Sequence, residues 1–202
     1  AGTLMTLSVN TATFPIGEYP VTLTDTIAGD SELFNNGATI PTTYLAGSIS
    51  ILRALDHWRL VHFAAAVENP LLESSLWGND ADPDLDGLIN LVEFAIGTDP
   101  HSPGYGSASA SHPGLPSSAV IDIGASQSIE ISYSRRKTAT GLTLVLSSSE
   151  DQLLWQTPAP GLTKIGASIP IGDATYEFVK VRIPIPTGKN RLFSRFSVSH
   201  SP

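Results

Sequence analysis

The stretch DADPDLDGLINLVEFAIGTDP, residues 80–100, places carboxylates at every second position and then turns apolar. Counting from Asp82, oxygen-bearing side chains fall at Asp82, Asp84, Asp86, Asn90 and Glu93, with Gly87 in sixth place. Hard cations take six to eight oxygens at about 2.3–2.6 Å. Alternating aspartates in a tight loop aim three carboxylates inward, and glycine allows the sharp turn that brings the Leu88 carbonyl within reach. Asn90 reaches the ion directly or through water, and Glu93, a turn into the exiting helix, closes the shell with both oxygens. The set Asp82, Asp84, Asp86, Leu88, Asn90 and Glu93 therefore reads as a metal seat. Ligation by oxygen alone favours Ca²⁺ over Zn²⁺ or copper. Ile89 is expected to pin the loop to a core. Asp80 and Asp99 either lend outer support or serve as cap and turn residues. The competing reading is a solvated acidic loop ahead of a helix, whose dipole favours carboxylates. Three aspartates within five residues repel one another, however, and a dipole needs only one.

The spacing D-x-D-x-D-G-x5-E is that of the EF-hand calcium loop. More closely, DPDLDGLINLVEFAIGTDP resembles the loop-plus-helix units of dockerins and of type 3 thrombospondin-like repeats in secreted bacterial proteins, including the G-T-D-P ending. A dockerin carries two such loops in tandem; this chain shows one. Extended loosely to the upstream WRLVHF helix and to LVLSSSEDQLLWQ and RLFSRFSVS, the chain is similar to the tail region of large secreted bacterial surface proteins. The resemblance implies a calcium-binding, extracellular part of such a protein. Extracellular Ca²⁺ is abundant enough to fill a site with Kd of about 10⁻⁴–10⁻³ M, so the ion is expected to be structural rather than sensory.

Other constellations offer less chemistry. His57 and His62 lie five apart on a helix and project from different faces, whereas a shared metal prefers i, i+4. Their ordinary reading is one solvated imidazole and one packed beside Trp58. Asp56 and His57 have no serine in a G-x-S-x-G setting to serve. Glu68 and Glu73 form a carboxylate pair only if the fold joins them. There is no Gly-rich phosphate loop and no cysteine, which removes thiolate catalysis and disulfides. No catalytic residues are expected. Trp58 and Trp155 read as core, and Trp77, beside Gly78 at the mouth of the acidic loop, as the most exposed tryptophan and the one suited to sugar stacking. Arg135-Arg136-Lys137 reads as a solvated guard of a strand edge, or as an interface for an acidic partner.

These residues need elements to hold them. Period-2 alternation in TLMTLSVN, EYPVTLT and TTYLAGSISIL, broken at FPIG, AGD and NNGA, predicts three strands in residues 1–52. FPIGEYPVTL resembles the strand-turn-strand ending of extracellular immunoglobulin-like and cohesin-like sandwiches. Three strands leave two raw edges. This segment is therefore expected to pack on the rest of the chain, to belong to a domain whose beginning is missing, or to take a strand from a neighbour. Residues 53–100 read as helix, acidic loop, helix. LDHWRLVHFAAAVE is one helix capped by Asp56 and ended by Asn69-Pro70. A second helix carries the stripe Leu88, Leu91, Val92, Ala95, Ile96 and stops at Gly97 and Pro100. Residues 101–118 are breaker-rich, a linker or long surface loop. From 119 to 202, AVIDI, SIEISYSR, LTLVLSSS, LLWQ, TYEFVKVRIPI and RLFSRFSVS predict an antiparallel sandwich of immunoglobulin or fibronectin kind. Pro184 and Pro186 put one strand on an edge or end it. The fold class is mainly β with a short helical calcium-binding junction.

Composition agrees. The 202 residues are 41% hydrophobic and 15% charged, with a net charge of −8, which suits a β-rich extracellular module. Residues 1–118 carry 13 acids against 2 Lys/Arg, and residues 119–202 carry 6 against 9. An acidic front and a mildly basic back argue against nucleic acid and permit weak head-to-tail self-association. No apolar run is long enough to span a membrane. The chain opens AGTL with no initiator Met and no signal peptide. The expectation is a processed product or excised segment of a longer protein, or a chain trimmed for expression. Together these point to a secreted or cell-surface structural or adhesive module, in one version a filament subunit joined to copies of itself by strand sharing. The alternative is a non-catalytic tail that holds carbohydrate or anchors a secreted polysaccharide-active enzyme, with glycan or cell-surface components as partners.

Overall fold

The computed structural model describes residues 17–21, 33–35, 38–40, 47–103, 106–137, 139–172 and 174–201. The chain divides into two compact units, Ala1–Arg53 and Ala54–Pro202. It is mainly β, with antiparallel sheets and a few short helices.

In the first unit, β1 (Gly17–Val21), β2 (Leu33–Asn35), β3 (Ala38–Ile40) and β4 (Gly47–Ile51) form two antiparallel pairs. β1 joins β4 with Gly17 opposite Ile51, and β2 joins β3 with Leu33 opposite Ile40. The strands expected in EYPVTLT and TTYLAGSISIL are these β1 and β4; TLMTLSVN lies outside the described residues.

The second unit opens with α1 (Ala54–Phe63). Asp56 is not its cap. It sits inside the first turn and pairs with Arg59 at 3.3 Å. Nor does the helix run on through the three alanines. Ala64 takes a left-handed φ of 46°, and the chain continues as a 3₁₀ turn at Ala64–Glu68, another at Pro70–Leu72 and a wide turn at Glu73–Trp77. Packing overrides helix propensity here. The redirected chain returns Ala66, Val67, Leu76 and Trp77 to the cluster built on Leu55, Trp58, Phe63, Leu91 and Phe94. After the acidic loop comes α2 (Asn90–Ile96), buried on nearly every side. Gly97 ends it at φ 88° in the left-handed conformation that glycine adopts at least cost. A side chain there would also meet Pro113 at 2.8 Å and Tyr176 at 3.0 Å.

Of residues 101–118, read as a linker or long surface loop, several of the described ones are fastened to the unit. Ser107 bridges Leu115, Ala108 is buried, and the Gly114 N–H donates to Ser134 Oγ. Then follow β5 (Ser117–Ile123), β6 (Ser126–Arg136), β7 (Leu142–Ser149), β8 (Thr163–Lys164), β9 (Ile169–Ile171), β10 (Tyr176–Pro184) and β11 (Phe193–His200). One sheet has the order β5-β6-β10-β8, with β9 also on β10, and β7 pairs β11 in a second. One apolar cluster draws Ile129, Ile131 and Tyr133 from β6, Val179, Val181 and Ile183 from β10, and Leu146 from β7. Leu144 and Phe196 pack against it. Period-2 alternation thus puts alternate residues of both sheets into one core. Pro184 ends β10 rather than marking an edge.

LLWQ is not a strand. Ser149 Oγ accepts from the amides of Asp151 and Gln152, and Asp151 Oδ1 accepts from those of Leu153 and Leu154. These local bonds compete with strand pairing and leave Leu153 and Leu154 exposed. Trp155 is half-buried beneath the Arg195 guanidinium, 4.1 Å away, instead of lying in the core.

Candidate metal centre

The acidic loop is closed by its own carboxylates. The Gly87 N–H donates to Asp82 Oδ2 at 3.0 Å, tying the sixth position back to the first. The Asp86 N–H donates to Asp84 Oδ1 at 3.2 Å, and the Leu88 N–H to Asp86 Oδ1 at 2.8 Å. Gly87 stands at φ 92°, where a side chain would be strained. Each aspartate thus uses one oxygen to hold backbone. The remaining oxygens of Asp82 and Asp84 are buried and receive no hydrogen bond. Ligand oxygens of Asp82, Asp84 and Asp86 lie within 4.8 Å of one another, the only such acidic or histidine group among the described residues. The intervening Leu85 points to solvent, 85% exposed.

Glu93 stands outside that trio but is wholly buried. Its Oε1 accepts from Thr98 Oγ1 at 3.3 Å, and its Oε2 has no partner. Burial, then the charges of Asp84 and Asp86, push its pKa up to about 7. The Asp84 carboxyl is also raised, first by burial and then by its aspartate neighbours against the pull of the Asp86 amide. Buried carboxylate oxygens without donors are costly. A divalent cation removes that cost and the repulsion together. The donor set, all oxygen and anionic, fits Ca²⁺.

Asn90 does something the spacing did not reveal. Its Nδ2 donates to the carbonyls of Leu76 at 2.9 Å and Gly78 at 2.8 Å, which sews the wide turn to the first residue of α2. Its Oδ1 is buried without a partner and remains the one atom through which it can serve an ion. The first amides of α2 are satisfied by the loop's backbone, Asn90 N–H by the Ala81 carbonyl and Leu91 N–H by that of Asn79. Arg59 reaches from α1 to Asn79 Oδ1 at 2.7 Å and holds the entrance. Leu88 follows the turn directly, and Ile89 is half-buried, its carbonyl accepting from Val92 and Glu93. Asp80 is exposed; Asp99 makes a turn by accepting from the His101 N–H.

The far end of α2 is fixed to the large sheet. Ser134 Oγ donates to the Ile96 carbonyl at 2.5 Å, and Tyr176 Oη to the Phe94 carbonyl at 3.2 Å. The Arg136 guanidinium lies 4.3 Å from the Phe94 ring and donates to Tyr176 Oη at 2.9 Å. A cation at a helix C-terminus also suits the dipole. Arg135 pairs with Glu177 at 2.6 Å. Two of the three basic residues read as an edge guard therefore serve internal contacts, and only Lys137 is exposed.

The remaining constellations do not converge. His57 is exposed, and His62 packs on Trp58 with ring centroids 4.7 Å apart. Glu68 and Glu73 are both exposed on separate turns. Trp77 is half-buried, its indole N–H donating to the Asn69 carbonyl and Arg59 lying 5.6 Å from its ring. No family model, no curated protein and no solved structure matches this chain.

Proposed function

We propose that this chain is a non-catalytic, extracellular structural or adhesive module that Ca²⁺ stiffens, its C-terminal strands forming a two-layer sandwich of immunoglobulin or fibronectin kind. Asp82, Asp84 and Asp86 hold the ion, with the Leu88 carbonyl, Asn90 Oδ1 and Glu93 completing the oxygen set. The bound ion supplies positive charge to a loop whose carboxylates otherwise repel. The chain's own residues then carry that rigidity onward. Asn90 and Arg59 tie the loop to the turns before it, and Ser134, Arg136 and Tyr176 tie α2 to the sheet. The observation that carries the reading is the set of buried, donor-less oxygens on Asp82, Asp84 and Glu93.

Calorimetric titration of the chain with CaCl₂ tests it. One site with Kd of about 10⁻⁴–10⁻³ M is expected, lost in the double variant Asp82→Asn, Asp84→Asn while far-ultraviolet circular dichroism in the absence of metal is unchanged. Equal binding by wild type and variant overturns the assignment.

A further inference from the structure

The two edges of the larger sheet are guarded very differently. At one edge lie β8, two residues long and carrying Lys164, and β9, three residues with Pro170 at its centre. Short length, lysine and proline all discourage a sheet edge from pairing with another chain. At the other edge, β5 runs for seven residues, SSAVIDI, with no lysine, arginine or proline. Val120 is 61% exposed and Ile123 43%. Among the described strands, β5 pairs only with β6.

We propose that β5 is the contact through which two copies of this chain pair, antiparallel, about a two-fold axis at Val120. Backbone direction permits it. The β5–β6 hairpin closes on two residues, with Ile123 opposite Ser126. Such a loop closes on a hydrogen-bonded pair, so residues 117, 119, 121 and 123 turn their amide and carbonyl groups to β6. Ser118, Val120 and Asp122 turn theirs outward. In the symmetric register Val120 faces Val120 of the second copy, and Ser118 faces its Asp122, so every outward group meets an outward group.

Side chains agree with that register. Asp122 is the only charged residue of β5. An axis at Val120 sets it opposite a serine hydroxyl, which can donate to it, rather than opposite another aspartate. Val120 lies on the same sheet face as its cross-strand neighbour Ile129, which belongs to the core, yet is itself left uncovered. Pairing Val120 with its counterpart covers that apolar surface. The symmetry is closed, giving a dimer and not a fibre. One added strand buries less than a standard interface, so the expected association is weak and reversible, with Kd of about 10⁻⁵–10⁻³ M.

Sedimentation analysis of the full chain from about 10 µM to about 1 mM brackets that range. Wild type is expected to move from monomer to dimer. Val120→Lys and Val120→Glu each set like charges face to face and weaken dimerisation by about tenfold or more. An equimolar mixture of the two restores it, because the lysine of one copy then meets the glutamate of the other. Ser118→Lys, placed opposite Asp122, tightens the dimer by about 2- to 30-fold. The exposure of Val120 makes both substitutions compatible with folding, and Ser118→Lys reads the register by a gain. A wild type that stays monomeric, as when another segment of the same chain covers β5, overturns the proposal. So does a mixture that fails to recover the dimer, or a Ser118→Lys variant that associates no more tightly than wild type.

Discussion

Exchanging Asn90 for Asp turns two hydrogen-bond donors into an acceptor and adds a charge, in a side chain of about the same shape. As an oxygen ligand, an aspartate at this loop position is as good as an asparagine, so spacing alone predicts equal or tighter calcium binding and no loss of stability. The structure predicts the opposite. Nδ2 serves the Leu76 and Gly78 carbonyls, and the residue is 1% exposed. Losing the bond to Leu76 costs about 1–3 kcal/mol, whereas the Gly78 carbonyl keeps the Ala81 N–H as a donor and its lost bond costs about 0.5–1.5 kcal/mol. A carboxylate facing both carbonyls adds repulsion. The expected loss is about 3 kcal/mol from the two bonds. For a chain of this size each kcal/mol moves Tm by about 2–4 °C, so calorimetry in saturating calcium should show a fall of about 6–12 °C. Asn90→Ala, which loses the donors without adding charge, should fall between wild type and Asn90→Asp. A Tm for Asn90→Asp within about 2 °C of wild type would refute the sewing role assigned to the amide.

Tyr176→Phe keeps the ring but removes the hydroxyl that bonds the Phe94 carbonyl and Arg136. It should cost about 1–2 kcal/mol in urea denaturation, and an unchanged midpoint would contradict the account of how α2 is fixed to the sheet. The Glu130 carboxyl is held below its ordinary range, chiefly by hydrogen bonds from Arg182 and also by Lys180, against burial. The unfolded chain therefore binds more protons than the folded one as pH falls through the carboxylate range. Stability from this group is present above about pH 4.3 and lost below it. Glu130→Gln should flatten the acid limb of the stability curve, and an unchanged limb would count against the pairing.

The acidic loop was legible because its geometry is local. Five oxygen-bearing side chains and one glycine lie within twelve residues, and the three aspartates among them converge as their spacing predicts. The end of α2 was legible for the same reason, in Gly97 and Pro100. Alternation disclosed most strands of both sheets. What stayed hidden depends on distance or on competition. Ser134 caps the Ile96 carbonyl from 38 residues away, and Arg136 stacks on Phe94 across a similar gap, so neither leaves a trace in spacing. The break at Ala64 contradicts local propensity and follows from the cluster around Trp58 and Phe94. LLWQ has the composition of a strand, but the Asp151 side chain takes the amides of Leu153 and Leu154 first, and Ser149 holds the turn just before them. Asn90 carries both kinds of information. Its position says ligand, and only the fold discloses the two carbonyls it serves.

The central claim, that a divalent ion in the loop around Asp82, Asp84 and Asp86 holds this module rigid, is tested most directly by thermal unfolding of the chain in calcium against EDTA. At a calcium concentration of about 100 times Kd the ion adds about 2.7 kcal/mol, which corresponds to a Tm about 5–11 °C higher than in EDTA. Identical melting curves in calcium and in EDTA would contradict it.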